Sequence, residues 1–154
     1  MALLLLALTL AGAAQDPHRG MNDRGTKVMG FDQDKTVHHF YLYDDGGMIE
    51  VRAKDAADTN ELTAIRSHLP HIAMMFQDGN FDAPMLVHDS KNVPGTKAMT
   101  ERKGAIRYQY VETANGGRVN IVTSDPDALA AVHAFLKFQI AEHKTGDPTI
   151  VRTR

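Results

Sequence analysis

From residue 36 onward the chain alternates apolar and polar positions with a period of two, then switches to a helical period, and does this twice. The stretch TVHHFYLYDDGGMIEVRAKD reads as two strands joined by a tight turn at Asp45-Gly46-Gly47. Alternation puts Ile49, Val51 and Ala53 on one face and Met48, Glu50 and Arg52 on the other. On the preceding strand His38, Phe40 and Leu42 share a face, and His39, Tyr41 and Tyr43 share the opposite one. A helix over 59–77 follows, ending near Gly79. The pattern then returns. AIRYQYVETANGGRVNIVTSD predicts a second hairpin turning at Asn115-Gly116-Gly117. The next segment predicts a second helix, with Ser124 or Asp125 as N-cap, Pro126 in the first turn and Gly146 beyond the end. The two helices align, Leu69 over Leu136 and Gly79 over Gly146.

This grammar predicts an α+β domain over 36–150. Two ββα repeats form a four-stranded, mainly antiparallel sheet with two helices on one face. The long inter-repeat loop at 81–104 is expected to fold over one end of the helix layer, with a short helix near 97–103. The polar, glycine-rich residues 15–35 read as a flexible lead-in. Residues 1–14, MALLLLALTLAGAA, are apolar and end in small residues. They are too short to span a bilayer and read as a signal peptide, so the expected location is periplasmic or secreted.

Composition narrows the chemistry. A net charge of -2 without a basic cluster argues against nucleic acid, and there is no lipid-anchor motif or later membrane-spanning segment. The absence of cysteine removes disulfides, thiolate metal sites, Fe–S clusters and covalent haem attachment. No G-x-S-x-G, phosphate-binding glycine loop or H-E-x-x-H occurs, so no catalytic set is assigned. Eight histidines and eight methionines remain as metal donors.

The segment SHLPHIAMMF concentrates them. On a helix Ile65, Leu69, Ile72 and Phe76 form the core stripe, while Ala64, His68, His71 and Met75 form a second stripe about 90° away. Two imidazoles and a thioether on one face can meet a single ion, although Pro70 between them can redirect the helix. Met85 and His88 stand three apart in the long loop. On the second helix His133 lies within the apolar sector of Leu129, Val132, Leu136 and Ile140, where a histidine bonded to a backbone carbonyl is the plain alternative. His143 lies at its edge, where a helix-terminal cap is.

His38, His68, His71 and His133 are thus expected at or beside the interface of helices and sheet, where unpartnered imidazoles are costly. Imidazole with thioether favours copper, held by His68, His71, His88 and Met75 or Met85, with His133 as a further donor. Zinc held by three histidines and water is a variant, with Asp89 or Glu142 as base. Non-covalent haem, with His71 or His133 axial and Met75 or Met85 opposite, is an alternative. A metal-free interaction module is another, using the Tyr41/Tyr43 strip and the free sheet face, which also suits a face-to-face homodimer.

The string HHF … HLPHIAMMF … GNFDAPM … H … FLKFQIAEHKTGD resembles small exported bacterial proteins of unestablished function over residues 36–147. The resemblance implies one exported domain and supplies no activity and no site residues.

Overall fold

The computed structural model describes residues 17–154. The chain runs α1 (Pro17–Met29), β1 (Thr36–Tyr43), β2 (Gly46–Ala53), α2 (Thr59–Gln77), α3 (Asp82–His88), α4 (Thr96–Glu101), a 3-10 turn (Lys103–Ala105), β3 (Ile106–Thr113), β4 (Gly116–Thr123), α5 (Pro126–His143) and β5 (Val151–Arg152). The fold is α+β.

Its sheet has five strands in the order β3-β4-β2-β1-β5. Each hairpin is antiparallel, and the two meet through antiparallel pairing of β2 with β4. The sheet differs from the expected four-stranded antiparallel one at its far edge. There β5 pairs in parallel with β1, Leu42 opposite Val151 and Tyr43 opposite Arg152, covering part of an otherwise open edge.

The hairpin turns also shift. Tyr43 pairs with Gly46 and Thr113 with Gly116, so the connections are Asp44-Asp45 and Ala114-Asn115, and both Gly-Gly pairs lie inside strands. The glycines answer close approach rather than turning. A Cβ on Gly46 would collide with the Ile121 carbonyl oxygen, and one on Gly116 with that of Val51. A Cβ on Gly47 would strike Leu136, and one on Gly117 would press on Leu69. The two leucines aligned from sequence thus seat over the two matching glycines.

Both long helices begin at an aspartate. Asp58 accepts from the Glu61 N–H, and Asp125 accepts from the N–H groups of Asp127 and Ala128. α2 continues through Pro70 without a break, and α5 ends at Lys144 in the left-handed conformation. α2 packs chiefly over β3 and β4 and α5 over β1, so each helix lies across the other hairpin. The expected inward positions are buried: Phe40, Leu42, Ile49, Val51, Ile65, Leu69, Ile72, Phe76, Val119, Ile121, Val132 and Leu136.

Residues 17–35 are not a flexible lead-in. They form α1, which packs on α3, and a turn in which Phe31 is 2% exposed. Few but well-placed apolar groups, Met21 and Phe31, give this polar segment its anchor, and Arg24 Nε donates to the Val87 carbonyl. The domain therefore exceeds 36–150 at both ends. The segment at 81–104 is largely helical, burying Phe81, Val87, Val93 and Met99 against the helix layer. Among the described residues no helix is long and apolar enough to cross a membrane. Residues 1–14, read as a signal peptide, lie outside the described residues.

Candidate functional site: an imidazole-lined cavity

Between the inner face of β1 and β2 and helices α2, α3 and α5 lies a cavity of about 70 Å³. Phe40, Ile49, Ile72, Phe76 and Phe135 supply apolar wall, while His68, His88, His143 and Gln139 supply its polar groups. Among the described residues no Lys, Arg, Asp or Glu lines it. The helical period brings Phe135, Gln139 and His143 to one stripe of α5, and α3 delivers His88 from above.

The imidazoles form a contiguous group. His38 stacks on His143 with ring centroids 5.4 Å apart, and His143 meets His88 edge-on at 5.1 Å. Phe31 bridges His38 and His68 at 5.9 and 5.7 Å. Burial holds His38 at a pKa of about 4, with further lowering from His68 and His39. Burial likewise holds His68 at about 4, with His71 adding to the effect. His88 is lowered by burial, against the opposing influence of Gln139 and Glu142. These three rings are therefore neutral at neutral pH, each with one N–H and one lone pair.

Their hydrogen bonding is incomplete. His88 Nε2 lies 3.0 Å from Gln139 Oε1 and donates to it. His88 Nδ1 is left 3.9 Å from the Glu142 carboxylate, beyond hydrogen-bond reach, and its side chain is only 1% exposed. His38 Nε2, His68 Nε2, His88 Nδ1 and Gln139 Nε2 are all buried with no hydrogen-bond partner among the described residues.

The residues singled out from sequence separate into groups. His68 and His88 both line the cavity. His71 is exposed and shares with His68 and Met29 a surface cleft of about 270 Å³ between α1 and α2. His133 belongs to neither. Its Nε2 donates to the carbonyls of Tyr43 (2.8 Å) and Gly46 (3.0 Å), tying α5 to the first turn, and is spent as a donor there. Met75 and Met85 pack half-buried on the main core and line neither the cavity nor the cleft. The proposed six-residue donor set does not converge, because helix packing divides it among four places: the cavity, the cleft, the hairpin end and the main core. Among the described residues no three His, Asp or Glu side chains are arranged to hold a metal ion.

His38, Gln139, His143 and Met29 were missing from the set read from sequence. The i, i+4, i+8 stripe of Phe135, Gln139 and His143 was a usable signal. Nothing local points to Met29.

On the opposite sheet face, His39 Nδ1 donates to Asp147 Oδ1 (2.9 Å) and Nε2 accepts from Arg52 (2.7 Å). The Tyr41 and Tyr43 rings are covered by the guanidinium groups of Arg152 (5.4 Å) and Arg154 (4.4 Å). The aromatic strip is thus partly occupied by the chain's own arginines.

Truncating His133 isolates its structural part. His133→Ala is expected to cost about 2 kcal/mol, because it frees two carbonyls at the hairpin end. Urea denaturation measures this, and an unchanged midpoint would assign the two bonds no weight.

Comparison with models of protein families, with curated proteins and with solved structures found no match to this chain.

Proposed function

We propose that this protein binds a small, mostly apolar molecule in the imidazole-lined cavity. One observation carries the reading: His68, His88 and Gln139 line an apolar cavity, and each has a buried side-chain nitrogen with no hydrogen-bond partner among the described residues. More than about 90% of buried polar groups in folded proteins are paired, so three together mark a place where another molecule completes the bonding. Haem does not fit as that molecule. Pockets for drug-sized ligands run to roughly 300–1,000 Å³, well above this cavity. Export to the periplasm or the medium is part of the proposal, on the strength of residues 1–14 and the absence of cysteine.

Methyl-resolved NMR tests the binding. Neutral molecules of a few heavy atoms are expected to shift the methyl signals of Ile49, Ile72 and Val87, which line the cavity, and not those of Val111 and Val122 on the opposite sheet face. Ala83→Leu, which grows into the cavity, is expected to abolish the shifts. A panel that leaves the cavity methyls unmoved would overturn the reading.

A second reading, copper carriage or sequestration, is favoured by one observation. His68, His71 and Met29 line the same cleft, two imidazoles and a thioether of the kind Cu(I) accepts. Zinc is less well served, since among the described residues no third His, Asp or Glu joins them. Competition with a chromogenic Cu(I) chelator is expected to show binding that His71→Ala weakens at least tenfold. Equal affinity in the variant would remove this reading.

A further inference from the structure

We propose that the sheet face turned away from the helices docks peripherally on an anionic lipid surface. This face is separate from the cavity, and the proposal stands whether or not the cavity takes a ligand. α2 and α5 cover the other face, over the buried side chains of Phe40, Leu42, Ile49, Val51, Val119 and Ile121. Alternation sends Arg118 and Val122 of β4 outward, and with them Arg107 of β3, which stands opposite Val122. Arg152 reaches the same face, since its guanidinium lies over the Tyr41 ring. These three arginines are unused. Among arginines with described side chains, Arg24, Arg52, Arg66, Arg102 and Arg154 each have an acceptor in the chain. Arg107, Arg118 and Arg152 have no hydrogen bond or ion pair among the described residues, and Arg118 Nε is buried without a partner. The acids nearby are mostly taken: Glu50 lies beside Arg52, Asp45 holds Arg154 and Asp147 holds His39. Asp44, at the first turn, is the exception.

The unused charge is spread over a plane. The register puts Arg107, Val122, Tyr43 and Arg152 in one row across the sheet. Arg107 and Arg152 end that row, with backbones four strand spacings or roughly 19 Å apart. Arg118 lies along β4 from Val122, its backbone roughly 14 Å from the row. Three cations placed this way suit a negatively charged surface better than one extended chain. Apolar groups share the same end of the sheet: Val122 is 37% exposed within the row, and Ile150, just ahead of β5, is 67% exposed. At a bilayer, guanidinium groups take phosphate oxygens, tyrosine rings sit at headgroup level and aliphatic side chains enter the boundary. A soluble polyanion would engage the arginines alone and leave Val122 and Ile150 in water.

Co-sedimentation of the full chain with vesicles tests the surface. Vesicles of phosphatidylglycerol and phosphatidylcholine in equal parts are expected to carry the protein down, and vesicles of phosphatidylcholine alone are not. Raising salt from about 0.1 M to about 1 M, which shortens the screening length from about 10 Å to about 3 Å, is expected to release most of it. Arg107→Gln is expected to weaken binding about fivefold, and Arg107→Gln, Arg118→Gln and Arg152→Gln together about a hundredfold. Lys91→Gln, Lys97→Gln and Lys137→Gln together remove the same charge from the helix side and are expected to leave binding unchanged. A thermal scan checks that each variant is folded; if the triple arginine variant is not, the exposed Arg107 decides alone. No sedimentation with the anionic vesicles, or equal weakening by the lysine variant, would overturn the proposal. Poly-L-glutamate binding as tightly as the vesicles would also overturn it and give the face to an acidic protein.

Discussion

Lowering the pH from 6.5 to 4 is expected to strip about 3 kcal/mol or more from the folding stability, well before the carboxylates of the helix caps are protonated. The sign follows from His38 and His68. Both titrate near 6.5 in an unfolded chain and are held at about 4 in the fold, His38 by burial and then by His68 and His39, His68 by burial and His71. Above pH 6.5 both states carry neutral rings and nothing is gained or lost. Between 6.5 and 4 the unfolded chain takes up protons that the folded one refuses, so stability falls as pH falls. His38, whose Nε2 is sealed from solvent, supplies most of the effect. His68 adds a smaller share, because its ring is less deeply buried than that of His38. The loss is large against a total stability of about 5–15 kcal/mol.

The cap carboxylates of Asp58 and Asp125 are lowered below 3.8, first by the backbone N–H groups of Glu61 and Ala128 respectively. Their stabilisation disappears only as pH falls further, so the two effects occupy separate windows. Urea midpoints across the range measure the slope. His38→Phe preserves an aromatic ring against Phe31 and His143 and is expected to flatten most of it. A wild-type midpoint level from pH 6.5 to 4 would show that the imidazoles are not held neutral by the fold.

Gly116→Ala and Gly46→Ala are each expected to be severely destabilising, at about 4 kcal/mol. Each glycine sits at positive φ, 154° and 145°, where L side chains are strained. Each added Cβ would also meet a backbone carbonyl of the neighbouring strand, which cannot rotate aside as a side chain can. Relief would require β2 and β4 to part at the seam joining the two hairpins. Thermal unfolding is expected to shift by on the order of 10 °C. Gly104→Ala is the control. Its Cβ meets nothing within 4 Å, and its backbone is not in the positive-φ region, so its midpoint should barely move. Equal effects at 104 and 116 would defeat the account.

The copper set read from the sequence shows how far local spacing carries. His68 and His71 do come out near one another, because i and i+3 on a helix are neighbours wherever the helix goes. Met75 follows His71 at i+4, also a neighbouring position on a helix, yet packs on the core, and the thioether beside the two imidazoles is that of Met29. That meeting depends on how α1 docks, and α1 begins in a segment whose composition reads as disorder. His133 and His143 are ten residues apart on α5 and looked alike as partly apolar-face histidines. The hairpin end that faces His133 offers two carbonyls, whereas His143 stacks against the rings of His38 and His88. The Gly-Gly pairs announced hairpins correctly but misplaced their turns. A glycine required by a neighbouring strand looks the same in one dimension as a glycine required by a bend.

By itself the sequence determined whatever depends on residues within a few positions of each other. It determined the period-two strands, the two long helices with the cap of the second, their inward stripes and the short helix in the long connection, since side-chain direction along one element follows from its own geometry. The tertiary structure alone decided that each helix lies over the opposite hairpin, that β5 joins the sheet, that α1 closes on α3, and that His68, His88 and His143 gather around one cavity with His38 stacked on His143. Those contacts join residues distant in the chain. They are selected by the shape and volume that remain once every apolar stripe is buried together, which no local pattern encodes.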